Sequence, residues 1–515
     1  MLNIIDRMIG VVNPAAALQR AKARQVLAIY EAAKPDRNRK TRNRNLAPNR
    51  LVESSASALR NHARYLERNH DITRGVLRTL VNNVVGASGI CVEPQPRRRD
   101  GTIHTQYAAA LRSMHRKWKK SPEVTGRMHW AQSERMAAYT WLRDGECFAQ
   151  KVMGHVPGLV HGSAVPFSLE ILEPDFVPLE YSDLSRNIRQ GVQVNSWGRA
   201  TAYHVFRRDP REGGAWITPA DLKIIPAANM LHVSTLDRLH QWRGISELAS
   251  VLNRVEDLKD YEESERIAAK VAASMTAYVK RLPGQEGYDP DGMARADDGT
   301  IAPRELRMQP GMIFDNLAVG EEIGLVDTNR PNPNLVAWRG GQLKAYAAGV
   351  GASYSSISRD YGGTYSSLRQ ELVEQWVHYA VLTDDFVGQF SQPAWETLVQ
   401  MAHLSGVLPI PVDVEPGTEA ECLFVGQSMP WIDPLKEADA WTKLVQSGFA
   451  SEVEVIRRRA GNPMDMLDQV ADWRKAAADR GIVFSSNAAH ATGSAPAPAP
   501  SPEPKEAPEP EDSEK

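Results

Sequence analysis

The sequence predicts an α+β fold in which helices come first, a β-rich region follows, and further helices complete the chain. Three observations predict this order: apolar residues at helical spacing before Asp144, short β-favouring runs between about 146 and 233, and a long run without proline from Gly244. With 515 residues and 42% hydrophobic composition, the chain can bury more than one core.

Helical patterns occupy the chain up to Asp144. Between Ile72 and Val85 apolar residues recur on one helical face, and Gly86 follows as the expected C-cap. Residues 103–143 continue the helical pattern until Asp144-Gly145 supplies a turn. We therefore expect helices up to this turn and strands beyond it.

Strands are expected wherever short β-favouring runs lie between turn residues. Residues 147–153, 167–172 and 202–206 have this character, with Gly, Pro and Asp between them. A later run, Cys422-Leu-Phe-Val, is a further strand candidate within a passage rich in Pro and Gly.

A long helix is expected from Gly244 to Arg281, and it would span roughly 55 Å if unbroken. Residues 285–331 form a turn-rich insert at its end. Helical patterns resume at 335–350 and 366–388. Between these two helices Gly362-Gly363 disfavours a helix, which predicts a mobile loop.

The two ends of the chain differ from its middle. Residues 34–50 are basic and poor in apolar residues, which predicts an exposed arm. Helices are expected at 395–404, 435–448 and 451–459, and the final Pro, Ala and acidic residues predict a disordered tail.

The charge of the chain is balanced, with 61 basic and 63 acidic residues and a formal net charge of −2. This argues against a protein that coats nucleic acid with a uniformly basic surface. Two local clusters could contact phosphate or could be solvated loops. One is Arg97-Arg98-Arg99, and the other is the arm with Arg37, Arg39, Lys40, Arg42 and Arg44.

Three scattered cysteines predict no disulfide framework and indicate a reducing compartment. The N-terminal residues lack the pattern of a secretion signal. Because no run of about 18 apolar residues occurs, we expect no membrane-spanning helix.

Motifs for enzymatic chemistry are missing from the sequence. No G-x-x-x-x-G-K-[ST] loop, G-x-S-x-G elbow or H-E-x-x-H pair occurs. The acidic pairs Asp297-Asp298 and Asp384-Asp385 could bind a metal, but adjacent acids are ordinarily solvated. We therefore expect no catalytic residue, metal or cofactor.

Five segments, in this order and spacing, resemble the lambda-type family of phage portal proteins. They are Ala63–Leu77, Leu172–Asp175, Asn229–Val233, Gln241–Ser246 and Ser358–Arg369. The resemblance covers roughly residues 50–460. It implies a portal fold, with a closed ring, usually a dodecamer, around a channel for double-stranded DNA.

The resemblance also implies a division of the chain into named regions. These are an N-terminal arm (1–50), a wing (51–243 and 367–432), two stem helices (244–281 and 334–352), a clip (282–333), a tunnel loop (353–366), a helical crown (433–486) and a disordered tail (487–515).

By the same resemblance, the tunnel loop would face DNA with Ser355, Ser356, Ser358, Arg359, Asp360, Tyr361 and Thr364. A channel in which DNA slides needs sparse charges and no base-reading contacts. Arg359 is the expected phosphate contact and Asp360 would temper its attraction, although an intersubunit salt bridge of Arg359 is an equal alternative. On the stem, Lys270, Lys280, Arg281 and Lys344 could face DNA.

The function implied is a non-enzymatic portal subunit of the virion, assembled in the bacterial cytoplasm. Its expected partners are further copies of itself, sequence-independent double-stranded DNA, terminase, the major capsid protein or scaffold, and a head-completion protein. The alternatives are a terminase-like nuclease or motor and a capsid protein without a channel. The nuclease or motor would need motifs that are missing here.

Overall fold

The computed structural model describes residues 46–212, 221–273, 277–281, 321–325, 334–429, 433–459 and 461–482. Its contacts divide the chain into two compact units. The first unit comprises the described parts of Met1–Thr79, Met136–Val152 and Leu169–Gly362. The second comprises those of Leu80–Arg135, Met153–Ser168 and Gly363–Lys515. The basic arm, most of the clip and the tail lie outside the described residues.

Helices make up most of the described chain. They are α1 (Pro48–Asn69), α2 (Asp71–Val84), α3 (Thr105–Trp118), α4 (Trp130–Asp144), α5 (Leu252–Ala273), α6 (Leu335–Gly349), α7 (Tyr354–Ser358), α8 (Tyr365–Phe386), α9 (Gln392–Leu404), α10 (Pro434–Gln446), α11 (Glu452–Arg458) and α12 (Pro463–Ala478). None of the described helices is both long and apolar enough to cross a membrane.

The described strands form small sheets of two to four strands. They are β1 (Cys91–Pro94), β2 (Glu146–Met153), β3 (Phe167–Leu172), β4 (Ile188–Arg189), β5 (Val192–Val194), β6 (Ala200–Phe206), β7 (Leu222–Pro226), β8 (Met230–Ser234), β9 (Ala277–Arg281), β10 (Glu321–Leu325) and β11 (Cys422–Val425). Strands β4 to β7 form a meander, and β2 lies between β3 and β8 in a second sheet. Strands β1 and β11 form one pair and β9 and β10 another. The expected helix-then-strand order and the strand at Cys422 are confirmed.

The core of the first unit lies where β2 meets the meander. Phe148, Val205 and Val177 are almost completely buried in one apolar cluster. Beside it, Gly145 has φ +92°, and a Cβ at this position would collide with the backbone of Ile245. Only glycine fits there, because the positive φ and the close backbone approach both exclude a side chain.

The core of the second unit is an aromatic stack. Trp118 lies parallel to Phe167 with ring centroids 5.6 Å apart, and its indole nitrogen donates to the Phe167 carbonyl at 2.9 Å. Trp130 contacts Trp118 and stacks on Phe390. Phe390 lies in a π-helical turn, Val387–Ser391, that joins α8 to α9.

Two long helical predictions were wrong in extent. Residues 103–143 form two helices, because Glu123 accepts hydrogen bonds from the backbone N–H groups of Thr125, Arg127 and Met128 and stabilises a loop between them. The expected helix from Gly244 begins only at Leu252, because the preceding backbone donates to other elements; Ile245 N–H, for example, donates to the Thr235 carbonyl.

The end of the long helix also differs from the prediction. Helix α5 ends at Ala273, and Ala277–Arg281 is a strand. Its backbone pairs antiparallel with Glu321–Leu325, so that Arg281 lies opposite Glu321. The run Ala277-Tyr-Val-Lys-Arg contains residues that favour strands, and pairing with β10 overrides the helical reading. The helix predicted at residues 335–350 is confirmed as α6, Leu335–Gly349.

Candidate nucleic-acid interface

The segment between α6 and α8 was predicted to be a loop without helix, and it contains the short helix α7. Ser353 caps this helix, since its hydroxyl accepts from the Ser356 N–H at 3.2 Å. At the other end Ser358 donates its hydroxyl to the Tyr354 carbonyl at 2.8 Å. Serine hydroxyls thus stabilise the single helical turn of α7, which ends before Gly362-Gly363.

Arg359 ends α7 in a left-handed conformation, with φ +59°. Such a conformation is unusual for a side chain larger than glycine or asparagine and is held only where the surroundings stabilise it. Here the Arg359 N–H donates to the Ser355 carbonyl at 3.0 Å, and the guanidinium reaches the Thr79 hydroxyl at 3.5 Å. The side chain is otherwise exposed.

Each oxygen of the Asp360 carboxylate accepts a hydrogen bond. One oxygen accepts from the Gly362 N–H at 3.0 Å, and the other accepts from the Tyr354 hydroxyl at 3.2 Å. The Lys344 ammonium lies 5.3 Å from the centroid of the Tyr354 ring, a cation–π contact. The structure therefore links two residues singled out from the sequence, Lys344 and Asp360, through Tyr354, which the sequence reasoning missed.

The remaining loop residues differ in exposure. Tyr361 and Thr364 are exposed, whereas Ser356 and Ser358 are half-buried. Ser355 is only 4% exposed, which argues against its expected place on a DNA-facing surface. In the second unit Thr364 caps α8, where its hydroxyl accepts from the Ser367 N–H at 3.3 Å.

Helices α5 and α6 pack side by side through aromatic and polar contacts. The rings of Tyr261 and Trp338 lie 4.3 Å apart. Arg339 donates to Glu262 at 2.6 Å, and Arg254 donates to Gln342 at 2.7 Å. These pairings leave Lys270 and Lys344 exposed. The side chains of Lys280 and Arg281 lie outside the described residues.

Helix α5 carries four basic and six acidic residues between Leu252 and Ala273. A surface of this composition repels phosphate on balance and offers only isolated positive charges. Helix α5 therefore carries a net negative charge, which disfavours tight binding of DNA along it.

Of the two predicted basic clusters, the structure describes only Arg97-Arg98-Arg99. The arm with Arg37, Arg39, Lys40, Arg42 and Arg44 lies outside the described residues. In the second unit Arg97 pairs with Glu421 at 3.0 Å and Arg98 with Asp413 at 3.4 Å. These acids offset the charge of the cluster, which favours the alternative of a solvated loop.

Groups that could support enzymatic chemistry are sparse in the described part of the chain. No group of three or more His, Cys, Asp or Glu side chains there could hold a metal ion. Of the two acidic pairs, Asp297-Asp298 lies outside the described residues. Burial and the neighbouring Asp384 raise the pKa of Asp385.

A buried ionic cluster in the first unit was not anticipated. We define it by Arg60, Arg64, Asp144, Glu146, Asp175 and Arg243. Arg243 is completely buried and donates to both Glu146 oxygens, the shortest bond being 2.7 Å. Arg64 donates to Asp144 and Asp175, each at 2.6 Å. Removing either side of such a pair would leave an uncompensated buried charge.

This cluster explains three of the segments that resemble the portal family. Arg64 belongs to Ala63–Leu77, Asp175 to Leu172–Asp175, and Arg243 to Gln241–Ser246. Their shared role is to bring distant parts of the first unit together through charge, a structural role that short motifs alone do not reveal.

The described chain is thus an α+β protein in which two packed helices, α5 and α6, are followed by a hydrogen-bonded loop and the long helix α8. A family model described as phage portal protein, lambda family, matches residues 34–382. The chain belongs to the lambda family of phage portal proteins.

Individual relatives are distant in sequence. The probable portal protein of Halomonas phage phiHAP-1 is 24% identical over 437 residues, which cover 82% of this chain and 81% of that protein. Portal protein B of Escherichia phage lambda is 22% identical over 312 residues, which cover 55% of this chain and 58% of that protein. The portal protein of Escherichia phage N15 is 21% identical, with 55% and 58% covered.

Solved structures with some likeness come from gene transfer agent particles. A chain from the virion of the native particle is 12% identical, with 79% of this chain and 93% of that chain covered and a TM-score of 0.42. A chain from the neck of the native particle, computed with C12 symmetry, is 11% identical, with 78% and 93% covered and a TM-score of 0.37.

Proposed function

We propose that this chain is the subunit of a closed ring at one capsid vertex, and that double-stranded DNA is packaged and later ejected through the channel of this ring. The observation that carries the proposal is the match of the lambda-family portal model to residues 34–382. The chain itself performs no catalysis in this role. A separate ATP-driven terminase supplies the motion of the DNA.

The partners follow from this role. Terminase docks on the clip, residues 282–333, and a head-completion protein takes its place after packaging. The major capsid protein or scaffold surrounds the ring during assembly in the host cytoplasm. DNA is contacted through its phosphates and without regard to sequence, by Arg359 on the tunnel loop and by isolated lysines on the stem such as Lys344.

Apolar surface in the second unit supports ring formation. Helix α8 exposes Val373, Val377 and Val381, which are four residues apart and 45%, 66% and 56% exposed. Residues at this spacing share one helical face. A contiguous exposed apolar stripe marks an interaction surface, and a head-to-tail interface between identical subunits can close into a ring. In this proposal a neighbouring subunit covers the stripe.

The test is the assembly state of the purified full-length chain, measured by mass photometry and by negative-stain averages viewed down the symmetry axis. We expect closed rings, usually dodecamers, with a hole wide enough for duplex DNA. Monomers or compact dimers at several salt concentrations would contradict the proposal and favour the enzyme or capsid alternatives.

A matched pair of variants tests the stripe itself. Val377→Asp places a charge in the proposed interface and should shift the population towards free subunits. Val160→Asp, on an exposed loop of the same unit, introduces the same charge and should leave the rings intact. If rings persist equally in both variants, the exposed stripe of α8 is not part of the subunit interface.

A further inference from the structure

Resting on the proposed DNA channel, we propose that Tyr354 is a positioning residue of the tunnel loop: it holds Asp360 away from Arg359 and so keeps the arginine charge available for DNA phosphate. Arg359 and Asp360 are adjacent in sequence and both exposed. Within the described segment 334–429, however, they make no ion pair with each other. The contacts of Tyr354 explain why.

Tyr354 is fixed against helix α6. Its ring lies beneath the Lys344 ammonium at 5.3 Å. Its hydroxyl passes Gly340, one helical turn before Lys344, where an added Cβ would lie 3.8 Å from the hydroxyl oxygen. The phenol is therefore oriented by the stem helix before it meets the loop.

From this position the Tyr354 hydroxyl donates to one oxygen of Asp360 at 3.2 Å, while the Gly362 N–H occupies the other at 3.0 Å. The Asp360 N–H donates in turn to the Ser358 hydroxyl at 3.1 Å. Both carboxylate oxygens are thus engaged by donors of the loop itself.

Arg359 ends α7 with a left-handed backbone, and its guanidinium donates to the Thr79 hydroxyl at 3.5 Å. Because no carboxylate among the described residues pairs with Arg359, its guanidinium retains its full attraction for phosphate. Loss of the Tyr354 hydroxyl would free Asp360 to pair with Arg359, and this pairing would cancel the attraction of Arg359 for phosphate.

The experiment measures the reactivity of Arg359 towards phenylglyoxal in the purified full-length chain, whatever its assembly state, by mass spectrometry of its peptide. Tyr354→Phe keeps the ring beneath Lys344 but removes the hydroxyl, and we expect Arg359 to react several-fold more slowly in this variant. Adding Asp360→Asn removes the competing carboxylate, so the double variant should react at the wild-type rate. Arg68, an exposed residue, serves as internal standard because its rate should be unchanged.

A slow rate that persists in the double variant would mean that Tyr354 acts through packing alone, and an unchanged rate in Tyr354→Phe would mean that it does not hold Asp360. Either result overturns the proposal. This readout does not depend on DNA, so it separates failure of the inference from failure of the portal role.

A second measurement connects the inference to DNA. Binding of a fluorescent random-sequence duplex to the rings is followed at increasing NaCl concentration. In Tyr354→Phe, the magnitude of the slope of log affinity against log salt should be smaller by about 0.9 for each phosphate contact that the variant loses. The slope should return to its wild-type value in the double variant. A slope that stays reduced there would contradict the proposed role of the carboxylate.

Discussion

Two fully buried glutamates, one in each unit, differ in charge: one is ionised and the other keeps its proton. Glu146, at the start of β2, contacts Arg243, Arg60 and His232, and it also accepts from the Gly244 N–H. Burial alone would raise its pKa, but the neighbouring cations hold the pKa of Glu146 well below its usual range. It is therefore an anion inside the protein.

Glu134, near the start of α4, is equally buried but has no basic side chain within ion-pair distance among the described residues. Its oxygens accept from the Ser391 hydroxyl at 2.8 Å and the Ile90 N–H at 3.0 Å. Burial raises the pKa of Glu134 to about 8. The comparison shows that partners, and not depth, decide the charge of a buried acid.

The largest expected effect on stability comes from replacing Glu146, the ionised glutamate of this pair. Glu146→Gln leaves Arg243, which is completely buried, without its carboxylate. We expect the free energy of unfolding to fall by about 3–5 kcal/mol. Chemical denaturation of the free subunit, followed by tryptophan fluorescence, measures this loss.

The matched control is Glu454→Gln, which breaks the exposed i, i+4 pair with Arg458. Exposed pairs of this kind contribute little, so its denaturation midpoint should match that of the wild type. Equal midpoints for Glu146→Gln and Glu454→Gln would refute the role assigned to the ionic cluster.

Glu134, the protonated glutamate, should make the stability of the fold depend on pH. The pKa of Glu134 is raised on folding, so between about pH 5 and 8 the folded state keeps the proton that the unfolded state has already lost. Its contribution to stability is full at low pH and falls as pH rises, by up to about 1.4 kcal/mol per pH unit in this window.

Glu134→Gln removes this titration but can still accept from Ile90 and donate to Ser391. Denaturation midpoints measured from pH 5 to 8 should therefore converge at pH 5 and separate towards pH 8, where the variant is the more stable protein. Parallel curves for variant and wild type would show that Glu134 does not titrate in this range.

A smaller effect is expected from the hydroxyl that faces Glu134. Ser391→Ala removes one hydrogen bond and should cost about 1 kcal/mol. It should also raise the pKa of Glu134 further, because the hydroxyl stabilises the charged form. The loss in melting temperature should therefore be larger at pH 8 than at pH 5. Ser405→Ala, whose hydroxyl donates to a backbone carbonyl, should show no such pH dependence.

Local patterns in the sequence predicted most elements of the fold but not their interruptions. The helix ending before Gly86 and the strand at Cys422 depend on nearby residues, and both were confirmed. The residues before α5 instead bond to a different part of the chain, as Ile245 does to Thr235, and the strand β9 depends on pairing with the distant segment Glu321–Leu325. Periodicity carries no information about such partners.

The candidate site was accessible from the sequence only in part. Arg359 and Asp360 were identified within a family segment, whereas Tyr354 lies just before that segment in a run of serines. Its importance comes from meeting Lys344 and Asp360 at once, which requires the fold of the loop. Glu146 was missed for a similar reason, since its main partner Arg243 lies 97 residues away.

The π-turn between α8 and α9 gives this part of the chain an unusual sensitivity to deletion. Each such turn holds one residue more than an α-helical turn, and one residue corresponds to about 100° of rotation. Removing a single residue from Val387–Ser391 would take out this extra residue, while Pro393 in the first turn of α9 would still prevent a regular α-helix from running through the junction. With α9 held by its buried side chains, all of α8 would then swing round its own axis, and the valines that now face outward would point in another direction.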